Sequence, residues 1–381
     1  MCLGSALACG GLLGGPSAEF SGPHLATIQS MDIADDGSLL ITGSQDRSAK
    51  AWTFPGLEGL RDLPHEDFVV AVAVSPDGSR VATGGYDPEI RIWSTATWEP
   101  VGAIPRSVFD MDWSGDHLVL AVKGGNDAEV WSTATFTLEH TLSGHADTVH
   151  AVRFSADGSR IATGSKDHSA RLWDVETGEE LGMFAGHSGV VLAVQFSPDA
   201  AHLATGASDK TARLWDVATQ EPLKQLSGHA DWIVGIDYRP DGSALVTAAR
   251  DGSMRLWDAR SGAPIEKLDL ELGALEDVRF ADADTLVTVG KDVYVRGVGE
   301  LLVDRDLAPP AKVRRLDERC SRLVECGKAL IRTAQTNEKG VEVVRMAREI
   351  DVESPEMCLT TLLTVGQAIG VAPPEQCVVT E

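Results

Sequence analysis

Six tryptophans fall at a nearly constant step along the chain, and no other feature restricts the fold as much. They are Trp52, Trp93, Trp131, Trp173, Trp215 and Trp257, spaced 41, 38, 42, 42 and 42 residues apart. A period near 40 means that one small unit is copied, and a unit of that size buries its apolar face only against its neighbours. Within each unit the apolar residues come in short runs, such as Val149–Phe154, Arg160–Thr163 and Val191–Phe196, rather than at helical steps. Turn signals separate the runs: Ser75-Pro76-Asp77-Gly78, Ser155-Ala156-Asp157-Gly158 and Arg239-Pro240-Asp241-Gly242 hold the same place in three units. Proline presets the turn dihedral, aspartate bonds its own backbone, and glycine accepts positive φ. Each unit is therefore expected to be a meander of four strands. Asp292 and Arg296 carry the frame through one more unit, with Val298 where the tryptophan falls elsewhere. The count is seven units, the third and seventh degenerate.

A second regularity lies inside the first. His24, Thr42, Asp46 and Trp52 stand 18, 4 and 6 residues apart, and the same intervals recur in His65, Thr83, Asp87, Trp93; in His145, Thr163, Asp167, Trp173; in His187, Thr205, Asp209, Trp215; and in His229, Thr247, Asp251, Trp257. Gly-His pairs (Gly144-His145, Gly186-His187, Gly228-His229) open the later units, and Trp-Asp pairs (Trp173-Asp174, Trp215-Asp216, Trp257-Asp258) close them. Over about residues 20 to 307 these motifs resemble the WD-repeat (WD40) family of β-propellers. The resemblance implies an all-β, seven-bladed ring in which histidine, threonine, aspartate and tryptophan form one hydrogen-bonded tetrad per blade. The chemistry fits: tryptophan only donates, threonine donates and accepts, and histidine bridges a hydroxyl to a carboxylate. Read instead as catalytic triads, His, Thr and Asp would give five copies of one active centre in a single chain, so the structural reading is preferred.

The weaker units depart from this pattern. In the third, Lys123 stands at the threonine slot and Asp127 lies only four residues before Trp131, so its tetrad is expected to be broken. The seventh keeps Thr288 and Asp292 but has Leu270 for histidine and Val298 for tryptophan. Two segments compete for the outer strand that closes the ring. Ala18–His24 echoes the Leu-Ser-Gly-His ends of later units, and Leu301–Asp304 follows a short Gly299-Glu300 turn; the local segment is favoured.

The formal charge of −24, from 57 acidic and 33 basic residues, repels phosphate backbones and anionic lipid, so nucleic-acid partners are not expected. No apolar run approaches the roughly 18 residues of a membrane span. There is no Gly-x4-Gly-Lys phosphate loop, no His-Glu-x-x-His helix and no Gly-x-Ser-x-Gly elbow. Asp282 and Asp284 lack the remaining ligands of a calcium loop, and His117, His140, His150, His168 and His202 show no metal spacing. Neither enzyme activity nor a metal or cofactor is expected, and a central-channel enzyme would need a polar cluster that the sequence does not display.

A binding surface is expected instead. Propellers present the loops at one end of the ring, and the resemblance places there the residue before each tetrad aspartate: Gln45, Tyr86, Asn126, Lys166, Ser208, Arg250 and Lys291. The position three after each Gly-His histidine, giving Thr27, Phe68, Thr148, Val190 and Trp232, is expected close by. Phe68, Tyr86, Trp232 and Arg250 are of the types enriched at binding hot spots, and Lys166, Arg250 and Lys291 make a basic spot on an acidic body. These six are the candidate partner-binding residues, for one or more protein partners.

After Pro309-Pro310 the apolar period becomes helical, with Val313, Leu316, Cys320, Leu323, Leu330 and Ala334 at helical steps. The chain thus divides into a leader or tether at 1–17, a propeller at 18–308 and a small α-helical appendage at 309–381. The appendage holds Cys320, Cys326, Cys358 and Cys377, whereas residues 10–319 hold no cysteine. The cysteines are read as disulfides stapling a module too small to be secure alone, against a zinc site without Cys-x-x-Cys or four buried thiols. Ala6-Leu7-Ala8-Cys9-Gly10-Gly11 resembles a bacterial lipoprotein box with Cys9 as the lipidation site, although no basic residue precedes Arg47. Together the two features favour the bacterial cell envelope over the cytoplasm. The expected function is a non-catalytic scaffold for protein–protein interaction through the loop face. The alternative is an envelope-anchored structural or assembly component whose helical tail makes the essential contact.

Overall fold

Period-two runs broken by turn chemistry give strands, and in residues 22–269 and 273–297, which the computed structural model describes, all regular structure is strand. Blade 1 holds β1 (Ile28–Ile33), β2 (Leu39–Ser44), β3 (Ser48–Thr53) and β4 (Gly59–Pro64). Blade 2 holds β5 (Val69–Val74), β6 (Arg80–Gly85), β7 (Ile90–Ser94) and β8 (Pro100–Ile104). Blade 3 holds β9 (Val108–Ser114), β10 (His117–Val122), β11 (Ala128–Ser132) and β12 (Leu138–Leu142). Blade 4 holds β13 (Val149–Phe154), β14 (Arg160–Ser165), β15 (Ser169–Asp174) and β16 (Glu180–Ala185). Blade 5 holds β17 (Val191–Phe196), β18 (His202–Ala207), β19 (Thr211–Asp216) and β20 (Pro222–Ser227). Blade 6 holds β21 (Ile233–Tyr238), β22 (Ala244–Ala249), β23 (Ser253–Asp258) and β24 (Pro264–Asp269). Blade 7 shows β25 (Asp277–Phe280), β26 (Thr285–Val289) and β27 (Val293–Gly297). Every blade is an antiparallel meander with strands paired in chain order, and together they make the expected seven-bladed, all-β propeller.

The turn between the first two strands follows from its residues. Gly78, Gly158 and Gly242 take φ of 66°, 68° and 73°, which a β-carbon would disfavour. Asp77 Oδ1 accepts from the Ser75 hydroxyl at 2.7 Å and the Ser79 N–H at 3.0 Å, and these bonds, Ser75 first, hold its carboxyl down at about 2.

Burial grades across each blade. The second strands β2 and β22 are buried at every residue, while the outermost strand β20 exposes all but Leu226. Packing runs between blades as much as within them. Leu172 and Phe184 of blade 4 share a cluster with Val191, Leu203 and Trp215 of blade 5. Burying a side chain of this size contributes about 1.5–3 kcal/mol over leaving it exposed, and the repeated interface multiplies that around the ring. The last joint has the same character: Ile28, Met31 and Leu40 of blade 1 pack with Val287 and Val289 of blade 7, and the Ile28 N–H donates to the Gly290 carbonyl at 2.7 Å. Of the two candidates for blade 7's outer strand, Ala18–His24 is described only from Gly22 onward, with no strand at 22–24, and Leu301–Asp304 lies outside the described residues, as do Leu270, Val298, Cys9 and the whole 309–381 appendage with Cys320, Cys326, Cys358 and Cys377.

Candidate functional site: the mouth of the central channel

The tetrads fix the loops that form the site. In blade 5, His187 Nδ1 donates to Asp209 Oδ2 at 2.9 Å, the Thr205 hydroxyl donates to His187 Nε2 at 2.8 Å, and the Trp215 indole N–H donates to Thr205 Oγ1 at 2.9 Å. His24, His65 and His145 reach Asp46, Asp87 and Asp167 at 2.7–2.8 Å, with Thr42, Thr83 and Thr163 bridging to Trp52, Trp93 and Trp173. Blade 6 is looser: His229 Nδ1 lies 3.4 Å from Asp251 and 3.1 Å from the Ser253 hydroxyl, while Nε2 meets Thr247 at 2.8 Å and Trp257 donates to Thr247 at 2.9 Å. Burial pushes His65, His145 and His187 below the ordinary imidazole range, and His229 to about 4, so the rings are neutral at pH 7. Burial also pushes the Asp167 and Asp251 carboxyls up, but hydrogen bonds led by Ser169 and Ser253 outweigh it and hold both near 2. A neutral imidazole between a carboxylate and a hydroxyl donates from Nδ1 and accepts at Nε2. The same aspartates accept the N–H after the histidine, as Asp209 does from Ser188 at 3.0 Å, so each tetrad pins a top loop to its blade.

Blade 3 corrects the sequence reading. Strand pairing sets Leu118 opposite Trp131 and Leu120 opposite Glu129, which puts Leu120 at the threonine slot. One extra residue in the β10–β11 segment moves Lys123 out of that slot and onto the rim. The Lys123 N–H donates to the Ser107 carbonyl at 2.8 Å, just as Gln45, Tyr86, Lys166, Ser208 and Arg250 donate to Thr27, Phe68, Thr148, Val190 and Trp232 at 2.8–3.0 Å. Lys123 is therefore the rim residue of blade 3, not Asn126, whose side-chain amide instead donates to the Ala146 carbonyl at 3.2 Å. A different device replaces the missing tetrad: the Trp131 indole donates to Glu129 Oε2 at 2.8 Å, Arg106 Nε donates to the same oxygen at 2.7 Å, and the Arg106 guanidinium lies 5.2 Å from the Trp131 ring. In blade 7 pairing sets Arg296 opposite Leu286, the tryptophan position of other blades, because the turn is two residues shorter there. Thr288 accordingly turns to the Asp277 carbonyl, at 2.7 Å.

Five of the predicted rim pairs are thus joined backbone to backbone, and of their side chains Tyr86, Trp232 and Arg250 line the channel mouth. An arc of aromatic rings crosses blades 2 to 4. Phe68 and Tyr86 stack with centroids 6.0 Å apart, Tyr86 meets Phe109 edge-on at 6.3 Å, and Phe109 meets His150 at 4.9 Å. Lys123 Nζ sits over the Tyr86 ring, 3.4 Å from its centroid. On blade 6 Trp232 is 42% exposed, with the Arg250 guanidinium 5.1 Å from its ring. The mouth encloses about 310 Å³ lined by Tyr86, Phe109, His150, Leu192, Trp232 and Arg250, among others. Phe109 and Leu192 were not singled out from sequence, and His150 was weighed there only as a metal ligand. They occupy the second position of each first strand, a signal that the repeat period itself supplies.

The basic spot is less free than the sequence suggests. Lys166 lies 3.4 Å from Asp147, and Arg250 lies 3.2 Å from Glu276, a carboxyl that burial pushes up. Lys291 is exposed but does not line the mouth. Pairing leaves the aromatic surface as the dominant chemistry.

Below the mouth the structure assembles the polar cluster that the sequence does not display. Asp32, Asp112, Arg153, Gln195, Asp237 and Arg279 come from equivalent positions of six first strands and line a lower cavity of about 630 Å³. Asp32, Asp112 and Asp237 each accept, at 2.7 Å, the backbone N–H of Val74, Phe154 and Phe280 on the next blade, so they stitch inner strands that do not pair as a sheet. Burial pushes the Asp32 carboxyl up to about 6, and Asp110 and Asp237 above their ordinary range. Against its own burial, Arg279 is held charged by Asp277, Asp237, Asp32 and Asp112. Among the described residues no three His, Cys, Asp or Glu side chains converge on a metal position.

Seven antiparallel meanders around a polar channel, six with four strands and the seventh with three among the described residues, are tied by repeated tetrads and define a β-propeller whose exposed chemistry is a loop face. The family model described as "IFT122 first beta-propeller" matches residues 107–296, and the model "WD domain, G-beta repeat" matches residues 14–53 and 59–94. The chain belongs to the WD-repeat β-propeller family. It is 37% identical over 70 residues to the intraflagellar transport protein 122 homolog of Xenopus tropicalis, covering 18% of this chain and 6% of that protein. It is 52% identical over 46 residues to Protein Mut11 of Chlamydomonas reinhardtii, 12% of each chain, and 38% identical over 77 residues to a guanine nucleotide-binding protein subunit beta of Solanum tuberosum, 19% of this chain and 20% of that one. The matched stretches span about a fifth or less of these relatives' lengths.

Proposed function

We propose that the protein is a non-catalytic scaffold that docks a protein partner over the channel mouth, with Phe68, Tyr86, Trp232 and Arg250 as the anchoring side chains and Phe109 and His150 completing the surface. The observation that carries this reading is the exposure of Trp232 across the mouth from the Phe68–Tyr86–Phe109 arc. Aromatic area held rigidly at the centre of a face is what a partner desolvates most profitably, and nothing in the fold requires it there. The tetrads serve this role indirectly, since they fix the loops so that little conformational entropy is lost on docking. Lys166 and Lys291 are assigned to the rim of the contact, where a charge influences the rate of encounter more than affinity. The polar channel supports a structural role, because its carboxylates are occupied by backbone N–H groups of the neighbouring blade. Tyr86→Ala and Trp232→Ala should each abolish recovery of the partner in a pull-down while leaving the melting temperature nearly unchanged. Retention of every partner by both variants would remove the proposed surface.

A further inference from the structure

The loop face is not uniform around the ring. The connection into blade 3 is three residues long, Pro105 to Ser107, whereas the corresponding connections into blades 2, 4, 5 and 6 run four to six residues. Those longer connections carry the histidine and rise over the following turn, where the tetrad aspartate holds them. Into blade 3 no histidine arrives, and Arg106 folds back onto Glu129 and Trp131 instead. Among the connections into blades 2 to 6, which the described residues include in full, the rim is cut down at blade 3. The turn that follows β10 leaves Lys123 and Gly124 exposed.

This gap is flanked by the aromatic arc. Phe68 and Tyr86 stand on the blade 2 side, His150 stands on the blade 4 side, and Phe109 leads from the gap to the channel mouth. Its charge is distinctive. Lys166 and Arg250 each face a carboxylate on the same loop face, but Lys123 sits on the Tyr86 ring, and a π-face does not neutralise a cation. The chain carries a net charge of −24, so an exposed ammonium beside an aromatic run is a local inversion of the body's field.

We infer that the gap over blade 3 is the groove through which an extended segment of the protein partner leaves the channel mouth, and that this segment places a carboxylate on Lys123 next to apolar residues that cover Tyr86 and Phe109. An acidic–apolar segment satisfies each element of the groove. A basic one would meet the unneutralised Lys123, and an uncharged one would leave the ammonium to be desolvated without a partner. The inference rests on the docking reading given above, which it makes specific in direction and in chemistry.

The test is selection of random peptides displayed on phage against the immobilised full-length protein, followed by fluorescence anisotropy with a synthetic copy of the most enriched peptide. Enriched peptides should carry Asp or Glu beside aromatic or aliphatic residues. Lys123→Glu should weaken binding on the order of tenfold and reduce its salt dependence, and selection against that variant should no longer enrich acids. Tyr86→Ala should weaken every enriched peptide. Peptides that depend on Tyr86 yet lack acids, or bind Lys123→Glu equally well, would overturn the acidic-segment inference and leave the docking face standing. Failure to enrich any peptide that Tyr86→Ala releases would overturn the docking face as well.

Discussion

Replacing Thr205 by valine isolates what one tetrad contributes. The hydroxyl is fully buried, donates to His187 Nε2 at 2.8 Å and accepts from the Trp215 indole at 2.9 Å. Valine keeps the branched shape but strands two buried polar groups, the indole N–H and the imidazole Nε2. Each costs about 1–3 kcal/mol when left unsatisfied, and partial relaxation brings the expected loss to about 3 kcal/mol. Thr288 provides the internal control, since among the described residues its hydroxyl makes one bond, to the Asp277 carbonyl at 2.7 Å, in a blade with arginine at the tryptophan position. A carbonyl with a second lone pair tolerates that loss, so Thr288→Val should cost about 1 kcal/mol. Urea denaturation followed by tryptophan fluorescence measures both. The difference of about 2 kcal/mol is a sizeable part of a stability of roughly 5–15 kcal/mol. If the two variants agree within about 0.5 kcal/mol, the tetrad is not cooperative and the reasoning fails.

Two further outcomes follow from the channel and from blade 3. A carboxyl whose pKa rises from 3.8 to about 6 on folding, as burial makes that of Asp32 do, binds its proton more tightly folded than unfolded, so it favours the fold at low pH and that advantage is lost as pH climbs through this window. Asp32→Asn retains an oxygen for the Val74 N–H, and relative to wild type its stability should gain between pH 4 and 6 and stay higher at pH 8; a parallel pH profile would refute this. Glu129→Leu should cost about 2–3 kcal/mol by stranding the buried Trp131 indole and unpairing the partly exposed Arg106, while Arg106→Ala should cost at most about half of that, as read by thermal denaturation. Equal losses would mean that the arginine, and not the carboxylate, organises blade 3.

The regular blades were legible because their chemistry is local to the repeat. Intervals of 18, 4 and 6 residues locate a tetrad wherever the loops between its members keep their length, as they do at His145, Thr163, Asp167 and Trp173. Counting fails where a loop changes length, and blade 3 shows how. One residue added between Leu120 and Trp131, with a shortened connection before Val108, moved Lys123 from an apparent tetrad slot to the rim. Strand pairing counts back from the tryptophan, whereas a sequence interval counts forward from the histidine, and the two disagree only in such a blade. The polar channel escaped notice for another reason. Asp112, Arg153, Gln195, Asp237 and Arg279 lie 41 or 42 residues apart and form no local motif, although projecting the repeat period onto the first strands would have aligned them. Likewise the aromatic arc joins residues from three blades, and only the closed ring makes them neighbours.

The claim that matters most is that partners dock at the mouth of the channel. Site-specific photocrosslinking tests it directly, with a benzophenone amino acid placed in turn at Tyr86, Phe109 and Trp232, and at Leu181 and Leu223 on the outer strands, in the cells that produce the protein. The face positions should each yield the same covalent partner, identified by mass spectrometry, and the outer-strand positions should not. Adducts from Leu181 or Leu223 with none from Tyr86, Phe109 or Trp232 would contradict the account.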